Sequence, residues 1–179
     1  MKRIDSREVY SNNWMTVRED RIRRTDGSNG IYGVVDKSDY ALVIPLSGNE
    51  VQLVEQFRYP LGIRRWEFPQ GTAPERAELP PRELAARELR EETGLSAGSL
   101  VEIGLLDVAP GLSSQRGRVF LATELTEGEP EREPEEQDMR TAWFTRDRVE
   151  QMIAEGEITD AQSVAAYALL LLWERRPAH

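Results

Sequence analysis

A single helix set between two groups of strands limits what this chain can build. Pro81 suits the first turn of a helix, where its missing N–H leaves nothing unpaired. Glu83 to Glu92 then runs without glycine, proline or a β-branched residue, and after Thr93 stands Gly94, placed to cap the C-terminus. Ahead of this helix, strands are expected at Val9-Tyr10, Trp14 to Arg23, Ile31 to Val35, Tyr40 to Leu46, Val51 to Phe57 and Arg65 to Phe68, with turns at 25–30 and 47–49. Behind it follow strands at Leu100 to Val108, Arg118 to Thr123 and Thr141 to Phe144, then helices near Arg146 to Glu155 and Ala161 to Arg175. In the last helix Val164, Ala168, Leu171 and Leu172 make an apolar stripe. Strands, helix, strands, helices in that order predict an α+β fold, a mixed central sheet flanked by helices in an α/β/α sandwich, rather than a repeating βαβ fold. The N-terminal strands, 1–38, read as an extra antiparallel region ahead of a main domain over 39–179.

The available side chains narrow the chemistry. The 179 residues include no cysteine, and the one histidine is the terminal His179. Disulfides, thiol catalysis, Cys-ligated zinc and a histidine-based triad are therefore not expected, and a reducing cytoplasm is the natural setting. No apolar run reaches the roughly 18 residues of a membrane span, and the N-terminus lacks a secretory core. The net charge of −9 argues against non-specific nucleic-acid binding. Much of that charge lies in residues 127–138, where seven acids face one arginine, a run that reads as a mobile loop.

On a helical wheel of about 100° per residue, Glu88, Glu91 and Glu92 share one face. Ala85, Ala86, Leu89 and Thr93 form the neighbouring, sheet-packing face. The acids sit in the last turn, where the helix dipole and their mutual repulsion both disfavour them. A nearby cation would offset this, and three converging carboxylates offer hard oxygen ligands suited to Mg²⁺ or Mn²⁺. Taken alone, the same cluster also reads as a solvated helix face laced with ion pairs.

The residues around the cluster favour the metal. Arg87-Glu88-Leu89-Arg90-Glu91-Glu92-Thr93-Gly94-Leu95 resembles the second half of the Nudix box, REUxEExGU with U a bulky aliphatic residue, and Gly71 resembles its opening glycine. Val54 to Pro60 and Gly156 to Ala161 are similar to segments of ADP-ribose pyrophosphatases, and Pro110, 15 residues after Leu95, has that subclass's spacing. Two features depart from the pattern. The box carries two extra residues, so that its usual glutamate falls on Ala77 or Leu79, with Glu78 between. Gln70 stands where these pyrophosphatases usually have alanine, and Phe68-Pro69-Gln70-Gly71 more closely resembles dinucleoside polyphosphate hydrolases and RNA 5′-pyrophosphohydrolases.

The resemblance implies Mg²⁺-dependent hydrolysis, with Mn²⁺ as a substitute, of the diphosphate linkage in ADP-ribose or a related nucleoside diphosphate sugar. It implies Glu88, Glu91 and Glu92 as metal ligands, with the Gln70 carbonyl added. It further implies a general base from the acidic loop, Glu135 or Glu136, with Arg87 orienting the carboxylates. Arg58, a diphosphate clamp, Glu67 and Pro110 would meet the substrate, and Trp14, Tyr32 or Trp66 could stack on a base. Dinucleoside polyphosphates or RNA 5′ ends are the alternative substrates, and a non-catalytic nucleotide sensor is a third reading. The partner implied is a second copy of the chain, exchanging an arm over Val9 to Ile22; neither nucleic acid nor a membrane is expected.

Overall fold

The computed structural model describes residues 1–73, 77–132 and 136–176. Its first 36 residues make a separate antiparallel sheet of three strands, β1 (Lys2–Ser11), β2 (Thr16–Arg23) and β3 (Asn29–Asp36), in that spatial order. The β2–β3 turn closes on Asp26, whose carboxylate accepts from the Ser28 N–H at 2.9 Å, with Gly27 at φ 85°. Strand β1 starts seven residues before the expected Val9-Tyr10. Every one of its residues is exposed, so no buried face marks it, and backbone pairing to β2 from Lys2 to Ser11 defines it instead.

The main sheet is mixed and seven-stranded. Its strands are β4 (Tyr40–Ser47), β5 (Glu50–Arg58), β6 (Ile63–Glu67), β7 (Gln70–Thr72), β8 (Ser96–Asp107), β9 (Arg116–Thr126) and β10 (Arg140–Thr145). The main path runs β10-β5-β4-β9-β8, with β6 paired to β5 and β7 to β4. Among the described strands of this sheet, only β4 and β9 run parallel, as a crossover connection requires. The helices are α1 (Pro81–Thr93), α2 (Arg146–Ala154) and α3 (Ala161–Glu174).

Alternation along β4 sorts the core into two layers. Tyr40, Leu42 and Ile44 join Met152 of α2 and Ala166, Tyr167 and Leu170 of α3. Ala41 and Val43 point the other way, onto Leu84, Ala85 and Leu89 of α1. The result is the expected α/β/α sandwich.

Two expected helix faces need correction. Ala86 is exposed, because one step of the helix turns it away from the Ala85–Leu89 contact line. On α3, Ala168 and Leu172 are exposed, Val164 and Leu171 are partly covered, and the buried line is Ser163, Ala166, Tyr167 and Leu170. The helix is apolar almost all round, so periodicity selects no face. Polar partners select it instead: Ser163 and Tyr167 point inward because the Phe68 N–H and the Glu150 carboxylate await them.

Gly94 ends α1 at φ 77°, and a Cβ there would strike the Gly128 carbonyl oxygen. Gly94→Ala should therefore lower the unfolding free energy by about 2 kcal/mol, the scale of a non-glycine residue forced into this conformation. A denaturant midpoint equal to the parent's would refute this.

Candidate active site

The site begins where β6 runs out. Glu67 is its last residue, and the chain then turns through Phe68 and Pro69 into β7, a strand absent from the sequence-based expectation. Three elements fix this turn. The Phe68 N–H donates to Ser163 Oγ at 2.9 Å, the Pro69 carbonyl accepts from Val43 N at 2.9 Å, and Gln70 to Thr72 pair with β4. Ser163 is itself held by Asp160, the α3 N-cap, which accepts from its N–H at 2.8 Å and its Oγ at 2.7 Å. The Gln70 amide completes the tie, with Nε2 donating at 3.1 Å to both Glu67 Oε2 and Asp160 Oδ2.

Helix α1 lies directly against this turn. A Cβ on Gly71 would overlap the Glu88 carboxylate, so only glycine lets strand and side chain approach this closely. The Gln70 N–H donates to Glu92 Oε2 at 3.2 Å. Glu88 is 6% exposed and Glu92 fully buried. Glu67, 1% exposed, receives Arg58 Nη2 at 2.6 Å.

Burying carboxylates among like charges disfavours ionisation. Burial pushes the Glu92 carboxyl well above its usual range, and the charges of Glu136, Glu88 and Glu67 push the same way, against one hydrogen bond from Gln70. Glu67 is also raised by burial, with Arg58 opposing. Burial disfavours the Arg58 cation, yet its hydrogen bond to Glu67 and the charges of Glu67, Asp160 and Glu92 prevail and raise it. One oxygen of each buried acid, Glu92 Oε1 and Glu67 Oε1, has no hydrogen-bond partner among the described residues. Such orphaned oxygens are costly unless a cation completes them.

Beside this cluster opens a cleft of about 420 Å³, lined by Arg58, Leu61, Arg65, Glu67, Gln70 and Asp160 among others. Arg65 crosses it to Thr159 Oγ1 at 3.0 Å. A second cleft of about 430 Å³ lies beyond, where Ala77, Glu78 and Leu79 of the lengthened loop face Asp39 and Arg118.

Arg58, Glu67, Gln70, Glu88 and Glu92 thus come together, and the charge of Glu136 reaches Glu92. Glu91 is half-buried and held by Arg87 Nε at 2.7 Å. Pro110 is exposed and lines neither cleft. Its turn docks on the N-terminal sheet, where Val35 N–H donates to Leu112 O and Tyr32 Oη to Gly111 O. Glu135 falls outside the described residues. Trp14 is 68% exposed, while Trp66 meets Phe144 edge-on at 5.0 Å. Sequence reading assigned no role to Asp160 and Ser163. An aspartate with a serine three residues on, ahead of an apolar run, is a helix-start signal that could have found them.

A family model described as the NUDIX domain matches residues 37–167, well over half the chain. The chain belongs to the Nudix hydrolase superfamily. A second model, the nucleoside diphosphate sugar hydrolase N-terminal domain, matches residues 1–35, the three-stranded sheet. Among curated Nudix relatives, an ADP-ribose pyrophosphatase of Mycobacterium tuberculosis H37Rv is 35% identical over 90% of this chain and 79% of its own length. One from Bacillus subtilis strain 168 is 27% identical, over 97% of this chain and 94% of its own. A solved structure described as an ADP compounds hydrolase shares the fold at a TM-score of 0.84 and 18% identity, covering 97% of this chain and 94% of that one.

Nudix hydrolases use a divalent metal ion. Among the described residues no three acidic side chains stand close enough to enclose one. The donor set still fits a hard ion of the Mg²⁺ type. Such ions keep several waters and bind through one or two carboxylates plus substrate phosphates, rather than in an all-protein cage. Two buried carboxylates, Glu92 and Glu67, each with an unpartnered oxygen among the described residues, and Glu67 at the wall of an open cleft, meet that requirement.

Proposed function

We propose that this Nudix hydrolase cleaves the diphosphate linkage of ADP-ribose or a related nucleoside diphosphate sugar, with Mg²⁺, or Mn²⁺ in its place. The products are a nucleoside monophosphate and a sugar phosphate. The observation that carries the reading is Glu92, fully buried at the end of a Nudix helix, with one oxygen unpartnered and other carboxylates around it. Glu88 and Glu92 would hold the metal, and Glu91 and the Gln70 carbonyl are the further candidate ligands. When bound there, a divalent cation would supply charge neutralisation for the diphosphate and a lowered pKa for the attacking water. Arg58 and Arg65 line the cleft in which phosphate oxygens would lie, and a guanidinium can grip two of them at once. Glu67 keeps Arg58 aimed, and Arg87 restrains Glu91. Glu136 takes the proton of the water as its oxygen bonds to phosphorus and the bridging P–O bond breaks; Glu135 is the neighbouring candidate.

The Gln70 side chain bears on the choice of substrate. Its amide is engaged by Glu67 and Asp160, so its presence has a structural account and does not itself call for a polyphosphate. The two ADP-ribose pyrophosphatase relatives also support the sugar-nucleotide reading.

The working unit is proposed to be a homodimer in the cytoplasm, with residues 1–38 as its arm and 39–179 as the hydrolase domain. Strand β1 is exposed throughout, and Val9, Tyr10 and Trp14 hold apolar surface in solvent, as an arm awaiting a second copy would.

Hydrolysis rates across ADP-ribose, GDP-mannose, diadenosine polyphosphates and 5′-triphosphorylated RNA, with Mg²⁺ and then Mn²⁺, test the assignment. ADP-ribose should be among the best substrates. If it ranks far below all the others, the sugar-nucleotide reading fails; tight nucleotide binding without product under either metal would favour a sensor.

A further inference from the structure

The acidic run 127–138 poses a physical problem. Glu136, within it, lies toward a buried cluster that is already negative, and repulsion opposes that placement. The turn that bears Glu136 is nevertheless tied to the Glu92 end of α1. Something must hold Glu136 there against the repulsion.

Two arginines do. Arg132, the only cation of the run, is half-buried. Its Nη1 donates to the Met139 carbonyl at 2.6 Å and its Nε to the Glu92 carbonyl at 3.3 Å, so it joins the far end of the loop to the C-terminal end of α1. A cation is favourable there, because the helix dipole is negative at that end. The Arg132 carbonyl in turn accepts from Gln137 Nε2 at 2.8 Å. Arg64, on β6, approaches from the other side. Its Nη1 meets Asp138 Oδ2 at 2.5 Å and its Nη2 the Asp138 carbonyl at 2.9 Å, while Glu55 Oε2 fixes its Nε at 3.0 Å. Between the two guanidiniums, residues 136–139 close a turn, with the Met139 N–H donating to the Glu136 carbonyl at 2.9 Å and the Met139 side chain buried.

We propose that Arg132 and Arg64 are positioning residues, a two-sided clamp that holds the turn bearing Glu136 against Glu92. The proposal rests on the reading of Glu136 as the base. Arg132 and Arg64 line neither of the two clefts described above. They act through the turn, so their loss should slow chemistry more than it weakens substrate binding.

The test is a double-mutant cycle on ADP-ribose hydrolysis with Mg²⁺, reading kcat and KM separately. Arg132→Ala should lower kcat by about 30- to 100-fold, the scale of misplacing a reacting group by about 1 Å, with KM changed by less than about threefold. Arg132→Lys, able to keep one of the two bonds, should fall between. In a Glu136→Gln background, Arg132→Ala should remove less than about a further threefold, since residues that act as one unit do not add. Arg64→Ala should repeat the pattern, and it carries the test should Arg132→Ala fail to fold. If Glu136→Gln is impaired but the losses multiply, the clamp is wrong and the base reading stands. If Glu136→Gln hydrolyses like the parent, the base reading falls and the clamp with it.

Discussion

Glu92→Gln should lower turnover by roughly a thousandfold, the upper end for removing one group that stabilises developing charge directly. The substitution keeps shape, and the amide carbonyl it introduces can still accept the hydrogen bond that Gln70 N–H gives to Glu92 Oε2. It removes the charge. In the metal-free protein that removal should be stabilising, with a definite dependence on pH. The folded-state pKa of Glu92 is raised above its unfolded value by burial and by Glu136, Glu88 and Glu67. A raised carboxyl binds more protons folded than unfolded, so the wild-type chain loses stability as pH climbs from the unfolded pKa to the folded one. Above that window the full penalty applies, and below it none remains. In chelator, Glu92→Gln should therefore melt above the parent at pH 8, the gap narrowing as pH falls toward the ordinary carboxylate range. Added Mg²⁺ should raise the melting temperature of the parent at pH 8 and leave the variant almost unmoved. Parent-like turnover would remove Glu92 from the metal; a variant less stable than the parent in chelator at pH 8 would contradict the burial account.

That combination of lost activity and gained stability marks a group placed for chemistry rather than for folding. It also explains why the helix was legible. Three glutamates at the wrong end of a dipole are a local conflict, and such conflicts collect at working sites. The sandwich was legible for a complementary reason. Tyr40 to Leu46 alternates between two buried layers, and the turn at 47–49 closes on Gly48 at φ 58°. Where these signals lapse, the reading lapsed too. Strand β1 has no buried face to betray it, and β7 is three residues long, defined by pairing to β4. Helix α3 offers apolar residues on every side, so only its partners, the Phe68 N–H and the Glu150 carboxylate, decide which way it turns. Arg132 is one arginine in an acidic run. Its importance lies in two backbone carbonyls 40 and 7 residues away, which no local pattern encodes.

Gly71→Ala should reduce kcat by about a hundredfold, the effect of shifting a reacting group by about 1 Å, with little change in melting temperature. Gly71 needs no unusual backbone conformation, so alanine brings no strain of its own. What it brings is a methyl group in the space of the Glu88 carboxylate. Glu88 is almost wholly buried against β7, so the carboxylate must leave its place to admit the methyl. The fold survives this; the placement of the Glu88 carboxylate does not. A rescue separates this account from a general packing defect. Glu88→Asp shortens the side chain by one methylene and draws its carboxylate back from the new methyl. On the parent background that shortening should itself impair turnover, because it moves an oxygen away from its place beside Gly71. On the Gly71→Ala background it should restore part of what was lost, the two changes compensating rather than adding. A double variant slower than either single one would show that the methyl acts elsewhere, and a fully active Gly71→Ala would mean that the position of Glu88 against β7 has no part in the reaction.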